Sequence, residues 1–570
     1  MMKPPDSRSP DRRLRGYRIV LTALLGAALV PMAAAQPDEE PAAGAETRAD
    51  AATAFEAELE RRGALIGSVN IMVENVFNLD DPAEDKSLYR FANSIHVTTR
   101  ESVVESLLLF ESGDRFVARV VDESARLLRH SGYVADASVR PTSYDETTNT
   151  VDIDVFVRDA WSLKPSIKLG RSGGANEYGF GLTEENLAGR GKRLDILFRS
   201  NVERAERLFS YTDNNVNGGR DRFKVLYSDN SDGRRTGFEA GRPFFSLAAR
   251  WSFTASLLDE ERIDSMYDLG EVIDEFRHDT RTWSIHGGGS RGFVNGRTVR
   301  WLAGFKYEED IFQPTVDLPA PTLLPENREI AYPWGGFQFV ADDYREVSEL
   351  NDIGRTEDVP LGLDLFVSVG RSSKSFGADR DAWIFDVSAS RGWEPGGPGK
   401  LLLFDIGASA RLENDVTRNG VLSGGARYYH RNLGRHLFSA NLKATLTNNL
   451  DAENQVLLGG DNNLRGYPLR YQSGERSAVL TLEQRFFTDW YPFRLVRLGY
   501  AVFFDAGRVW GKDPRNTPNV GTLYDVGMGL RLTSPRSTRG SVVHIDLAFP
   551  LNGDASIDNV QLLVEKKASF

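Results

Sequence analysis

Phe438–Leu446 reads FSANLKATL. Phe438, Ala440, Leu442, Ala444 and Leu446 fall on one side; Ser439, Asn441, Lys443 and Thr445 fall on the other. That two-residue period belongs to a strand with one greasy and one wet face. The pattern recurs on both sides of this stretch. Leu194, Ile196 and Phe198 oppose Asp195 and Arg199; Val299, Trp301, Ala303, Phe305 and Tyr307 oppose Arg300, Lys306 and Glu308. Leu361, Leu363, Leu365, Val367 and Val369 oppose Asp364 and Ser368, and Phe404, Ile406, Ala408 and Ala410 oppose Asp405, Ser409 and Arg411.

A soluble β-sandwich alternates too, so the period alone does not choose between architectures. These runs are roughly ten residues long, where a soluble strand is about five or six. Aromatics gather near run ends, in RPFF, RGWEP and TDWYPF, as interface girdles do, and the chain closes on Phe570. With about 410 residues after Trp161 and roughly 25 per strand and turn, the pattern predicts a transmembrane barrel of about 16 strands. Glu308–Pro360 is polar and reads as external loops.

Composition agrees. The 570 residues carry 53 Gly, 10% aromatics, no Cys and a net charge of −12. No Cys means no disulfide framework and no lipidated N-terminal cysteine. Mean hydropathy is −0.37, which suits a barrel in which only every second residue faces lipid. Basic residues are scattered, so no nucleic-acid partner is expected.

Residues 1–35 read as a secretory signal. Arg12, Arg13, Arg15 and Arg18 precede the apolar run Ile19–Pro31, and Met32-Ala33-Ala34-Ala35 offers a cleavage site before Gln36. No later stretch is long and apolar enough for a transmembrane helix. Residues 36–64 read as an acidic, Ala-rich flexible linker, helical near Ala51–Arg62.

Residues 65–160 form a separate small unit. IGSVNIMVENVF is a strand; Thr98 and Glu101 have capping-box spacing ahead of a helix bearing Val103, Val104, Leu107 and Leu108. A second helix carries Val117, Val120, Val121, Leu127 and Leu128 and stops at Gly132. YVADASVRP and TVDIDVFVRD follow as strands, the latter with Val151, Ile153, Val155 and Val157 on one face. Strand, helix, helix, strand, strand closes as a small sheet with helices on one side.

Catalytic patterns fail on context. Gly288–Gly292 spells Gly-x-Ser-x-Gly, but a turn and a strand follow where a nucleophile elbow needs a helix. The seven His lack metal-ligand spacing, and NLDDPAEDK reads as a solvated loop. No cofactor and no metal are expected.

GGDNNLRGYPLRYQ (Gly459–Gln472) stands out as a Gly-rich polar loop framing one arginine. With YGFGLTEENLAGRGKRL (178–194), AVFFDAGRVW (501–510) and YDVGMGLRLTSPRSTRGSVVHIDLAFPL (524–551), it resembles the outer-membrane assembly and transport factors of the BamA/TamA superfamily. The 65–160 unit resembles their polypeptide-transport-associated (POTRA) domain. The resemblance implies that the loop folds back into the lumen and that Arg465 pairs with Asp505, with Glu483 as second acceptor. Gly466 would allow the tight turn and Tyr467 would pack beside the guanidinium. A lone arginine in a water-poor lumen needs a carboxylate, and its planar fork suits a bidentate one.

The C-terminus departs from the family pattern. Val560, Leu562 and Val564 alternate, but Lys566 falls on their face before Ala568 and Phe570, the family's assembly signal. That suggests a loosely zipped seam between a first strand near Leu163–Gly170 and a last near Asp558–Phe570. The chain is therefore expected to be a non-enzymatic outer-membrane barrel with a periplasmic POTRA domain. It would insert or translocate unfolded client polypeptides, with the lipid bilayer, lipopolysaccharide and periplasmic accessory proteins as partners. A passive porin or dedicated secretion pore is the alternative.

Overall fold

The computed structural model describes residues 43–567 apart from 319, 352, 354, 355, 398, 433–435, 514, 537–541 and 556. The signal segment and Phe570 lie outside these. Up to Ala64 the chain is a unit of its own: helix α1 (Ala43–Arg62) begins eight residues before the helical stretch expected within the linker. Its Glu58 and Arg62 pair at i,i+4, 2.5 Å apart.

The small sheet has the order β1 (Leu65–Glu74), β3 (Thr150–Asp159), β2 (Val134–Asp145), with β3 parallel to β1 and antiparallel to β2. Val151, Ile153, Val155 and Val157 are fully buried along β3. Burying each such side chain contributes about 1.5–3 kcal/mol. Three helices rather than two lie between β1 and β2: α2 (Ser87–Ile95), α3 (Glu101–Leu107) and α4 (Ala118–His130), of which α3 and α4 pack on the sheet.

Both helix-end expectations need correction. Arg100, not Thr98, is the N-cap of α3, and no side chain caps it; Thr99 spends its hydroxyl on Asp159 Oδ1, at 2.7 Å. Helix α4 ends on Ser131 in extended conformation, so Gly132 is not a left-handed cap.

From Leu163 a single sheet closes on itself as a barrel of 20 strands, not about 16. The count rose because the early strands are short and tightly linked: six fit between Leu163 and Arg242. The wall is uneven. Trp251–Asp268, Glu271–Val294, Arg297–Gln313 and Val416–Asn432 are the tall strands, against nine or ten residues in each of the first six. Trp301, Ile406 and Leu442 stand exposed on the outer wall, and Asp195, Arg300 and Ser439 are buried on the inner one. No helix among the described residues is long and apolar enough to cross a membrane; the strands do the crossing.

The Glu308–Pro360 stretch is not a set of external loops. It contains a barrel strand, Arg328–Ala341, and then a hairpin, Tyr344–Ser348 with Thr356–Pro360, on the same side of the barrel as α4. Leu361 and Leu363 precede the strand Asp364–Ser372 instead of lying in it.

Candidate functional site

The Arg465 loop leaves the barrel at Asn448 and returns at Arg476. Val456–Leu458 pairs with Gln472–Gly474, narrowing the loop to a stalk. Beyond the stalk a turn closes from the Tyr467 amide to the Leu464 carbonyl, at 3.0 Å. Leu464, Tyr467 and Tyr471 are buried against Val479, Val509 and Leu523 of the barrel wall. The loop is therefore packed into the lumen by its own apolar side chains, not by one ion pair.

Arg465 is 4% exposed. Its Nε donates to Asp505 Oδ2 at 2.7 Å and its Nη2 to Asp505 Oδ1 at 3.0 Å, a bidentate fork. Its Nη1 donates to Glu483 Oε2 at 3.1 Å and to Asp546 Oδ2 at 3.4 Å. The guanidinium lies 3.3 Å from the centroid of the Phe503 ring. Asp505 and Phe503 share the lumenal face because one receives the cation's edge and the other its plane. Gly466 passes close to the wall, where an added Cβ would lie 2.6 Å from Asp525 Cβ. The Tyr467 hydroxyl reaches the carbonyl of Tyr524 at 2.8 Å, so it anchors to the wall instead of stacking on the guanidinium.

Sequence reasoning missed half of the cluster. Arg531, with no exposed surface, pairs with Asp546 and donates Nη2 to Glu483 Oε2 at 3.2 Å. Arg485 donates Nε to Glu483 Oε1 at 2.9 Å. Three arginines thus meet three carboxylates, the pairing that a desolvated cluster requires, and a fourth buried carboxyl, Asp525, lies opposite Asp505 on the neighbouring strand. A charge in mid-strand on the wet parity, as in GLRLT and HIDLAF, was the available signal.

A second element enters from the opposite end. Leu350, Val359 and Leu361 of the hairpin segment pack with Tyr429, Leu437, Phe487 and Ala501 of the barrel, and Arg485 Nη1 donates to the Leu350 carbonyl at 2.9 Å. The hairpin is tied to α4: Arg129 Nε and Nη2 hold both oxygens of Asp358, at 2.9 and 2.5 Å, and Nη2 reaches Glu346 at 2.8 Å. Burial works to lower the Arg129 pKa; Asp358 and Glu346 outweigh it and hold the group above its ordinary value. Between hairpin and loop remains a cavity of about 830 Å³ lined by Glu357, Asp358, Asn463, Arg465, Glu483 and Arg485.

The wall beside this site closes unevenly. Gln561–Lys567 pairs with its predecessor strand at every position. With the first strand, Leu163–Ser172, its one paired position among the described residues is Val564 against Arg171. The loop also touches that first strand's turn. Ser172 Oγ donates to the Gly460 carbonyl at 3.1 Å, and Gly173, at φ +54, has no room for a Cβ against Leu469. No group of side chains able to hold a metal ion occurs among the described residues.

Two stretches of the chain match known protein families. Residues 411–562 match the Omp85 superfamily domain, and residues 93–159 match POTRA, the surface antigen variable number repeat. No curated protein matches the chain. Among solved structures, BamA from Haemophilus ducreyi lacking POTRA domains 1–3 is 12% identical, with 95% of this chain and 97% of that one covered and a TM-score of 0.39. CdiB from Acinetobacter baumannii is 10% identical, with coverage of 99% and 87% and a TM-score of 0.40. CdiB from Escherichia coli is 11% identical, with coverage of 91% and 96% and a TM-score of 0.39. Scores at this level leave the assignment to the two domain matches. On those, and on the closed barrel that follows the small sheet, residues 411–562 are an Omp85 superfamily domain and residues 93–159 a POTRA domain, and the chain is similar to the BamA/TamA-like outer-membrane barrels that hold a POTRA domain in the periplasm.

Proposed function

We propose that this barrel inserts or translocates client polypeptides by offering them its own sheet edges, without any catalytic step. The observation that carries the reading is the seam: among the described residues it has one paired position, Val564 against Arg171, where every other neighbouring pair of barrel strands is joined along a run of residues. Unpaired N–H and C=O groups along such an edge template an incoming strand. The POTRA sheet offers a first docking edge, since β1 and β2 are both outer strands.

In this reading Arg465 and its carboxylates lock the loop in the lumen and so hold the barrel's shape while the seam opens. The partners are unfolded polypeptides, outer-membrane lipid with lipopolysaccharide, and periplasmic accessory proteins. A passive pore is disfavoured because the lumen is entered by the loop from one end and by the hairpin from the other. The chain has no cysteine, so Arg171→Cys with Val564→Cys gives a single removable cross-link across the seam. Oxidation should abolish client assembly and reduction should restore it. Unchanged assembly with the seam cross-linked would refute the mechanism.

A further inference from the structure

Helix α2 presents three faces. One is docked: Tyr89 stacks on Phe77, ring centroids 4.5 Å apart, and donates its hydroxyl to the Phe493 carbonyl in the turn between two barrel strands. Asn93 holds Phe77 through both its amide atoms. A second face is polar, with Arg90 on Asp85 and Ser94 outward. The third is apolar and uncovered. Leu88, Phe91 and Ile95, at i, i+3 and i+7, are 57%, 62% and 52% exposed. A contiguous bare patch of this kind needs a partner.

The patch does not stop at the helix. Phe493, in the turn that Tyr89 grips, has φ +53, a costly conformation for a bulky residue, and keeps its ring 78% exposed. Trp490 of the same turn is 63% exposed. At the other end Val97 is bare, and the following residues dock on the turn Leu187–Gly189, where the Arg100 amide reaches the Gly189 carbonyl at 3.0 Å. Those two turns belong to strands on opposite sides of the seam. The apolar arc therefore runs along the barrel's periplasmic rim, beneath the seam, and continues the lipid-facing wall.

We propose that α2 lies in the periplasmic leaflet of the outer membrane, with Leu88, Phe91 and Ile95 among the phospholipid acyl chains next to the seam. Its geometry is that of an interfacial helix, with one face greasy and one wet; the third face, docked on the rim, sets its depth. Aromatic residues at the rim do the same work as a girdle. Held there, the helix displaces lipid beside the seam. The inference needs only that the barrel spans the membrane, and it stands whether the cargo is inserted or translocated.

The full chain, folded into vesicles of phosphatidylethanolamine and phosphatidylglycerol, tests this without any client. An environment-sensitive fluorophore on Phe91→Cys is compared with one on Arg90→Cys, on the wet face, using lipid nitroxides placed near the headgroup and aqueous iodide as quenchers. Ile95→Cys serves as a second apolar position should Phe91→Cys fail to fold. Lipid quenching at the apolar position should exceed that at position 90 by about threefold or more, with iodide showing the reverse. Equal quenching at the two positions would overturn the proposal, as would a label at position 91 shielded from both quenchers, which would mean that protein covers the face.

Discussion

Arg485 joins Glu483 to the periplasmic hairpin: its Nε gives Glu483 Oε1 a bond of 2.9 Å, and its Nη1 gives the Leu350 carbonyl another of 2.9 Å. The opposite oxygen of Glu483 receives Arg465. A single carboxylate therefore receives bonds tracing to the external loop and to the POTRA side of the barrel, and each change below perturbs that chain at a different point.

Arg465→Ala leaves Asp505 without its bidentate partner and the cluster one cation short. Removing one partner of a buried ion cluster costs about 3–5 kcal/mol. The heat-modifiable band shift should occur at a lower temperature, and Arg465→Lys should recover little, because an ammonium cannot present the fork. Unfolding of the alanine variant at the parent temperature would refute the lock.

Gly466→Ala places a Cβ 2.6 Å from Asp525 Cβ and 3.1 Å from the Pro550 nitrogen. Overpacking of this kind costs about 1–3 kcal/mol. Gly289→Ala is the control, since an added Cβ there meets nothing within 4 Å. Equal stability of the two variants would show that the loop tip is not held against the wall.

The contact between α4 and the hairpin is testable by a double-mutant cycle on Arg129→Ala and Asp358→Asn. Residues sharing a buried bidentate pair couple by about 0.5–3 kcal/mol, read here as hydrogen exchange of the 344–360 amides. Strict additivity would mean that the hairpin holds its place without the POTRA helix.

Lys566 is exposed on the lipid-facing parity of the last strand. Lys566→Leu should stabilise the barrel by no more than about 1 kcal/mol, the range for a charge near the interface, while slowing client assembly by tightening the seam. Faster assembly would contradict the loose-seam reading.

Much of this was readable from the residues. The β3 face Val151, Ile153, Val155 and Val157 is buried as its period required, and the alternating runs did form a closed wall. Strand number was not readable, because turns as short as Gly173-Gly174 do not interrupt the alternation that marks their strands. The hairpin at 344–360 was misplaced for a similar reason: polarity says that a segment meets water or charge, not which mouth of the barrel it enters.

What the sequence by itself determined is the barrel class, the POTRA-like order before it and the framed arginine, because period and turn chemistry are local properties. Which carboxylates surround Arg465, that Arg485 and Arg531 share them, and that among the described residues a single paired position closes the wall were decided by tertiary structure. The carboxylates that bind Arg465 lie on three separate strands, 18 to 81 residues away in the chain, and only closure of the sheet brings them into one buried cluster where unbalanced charge is costly.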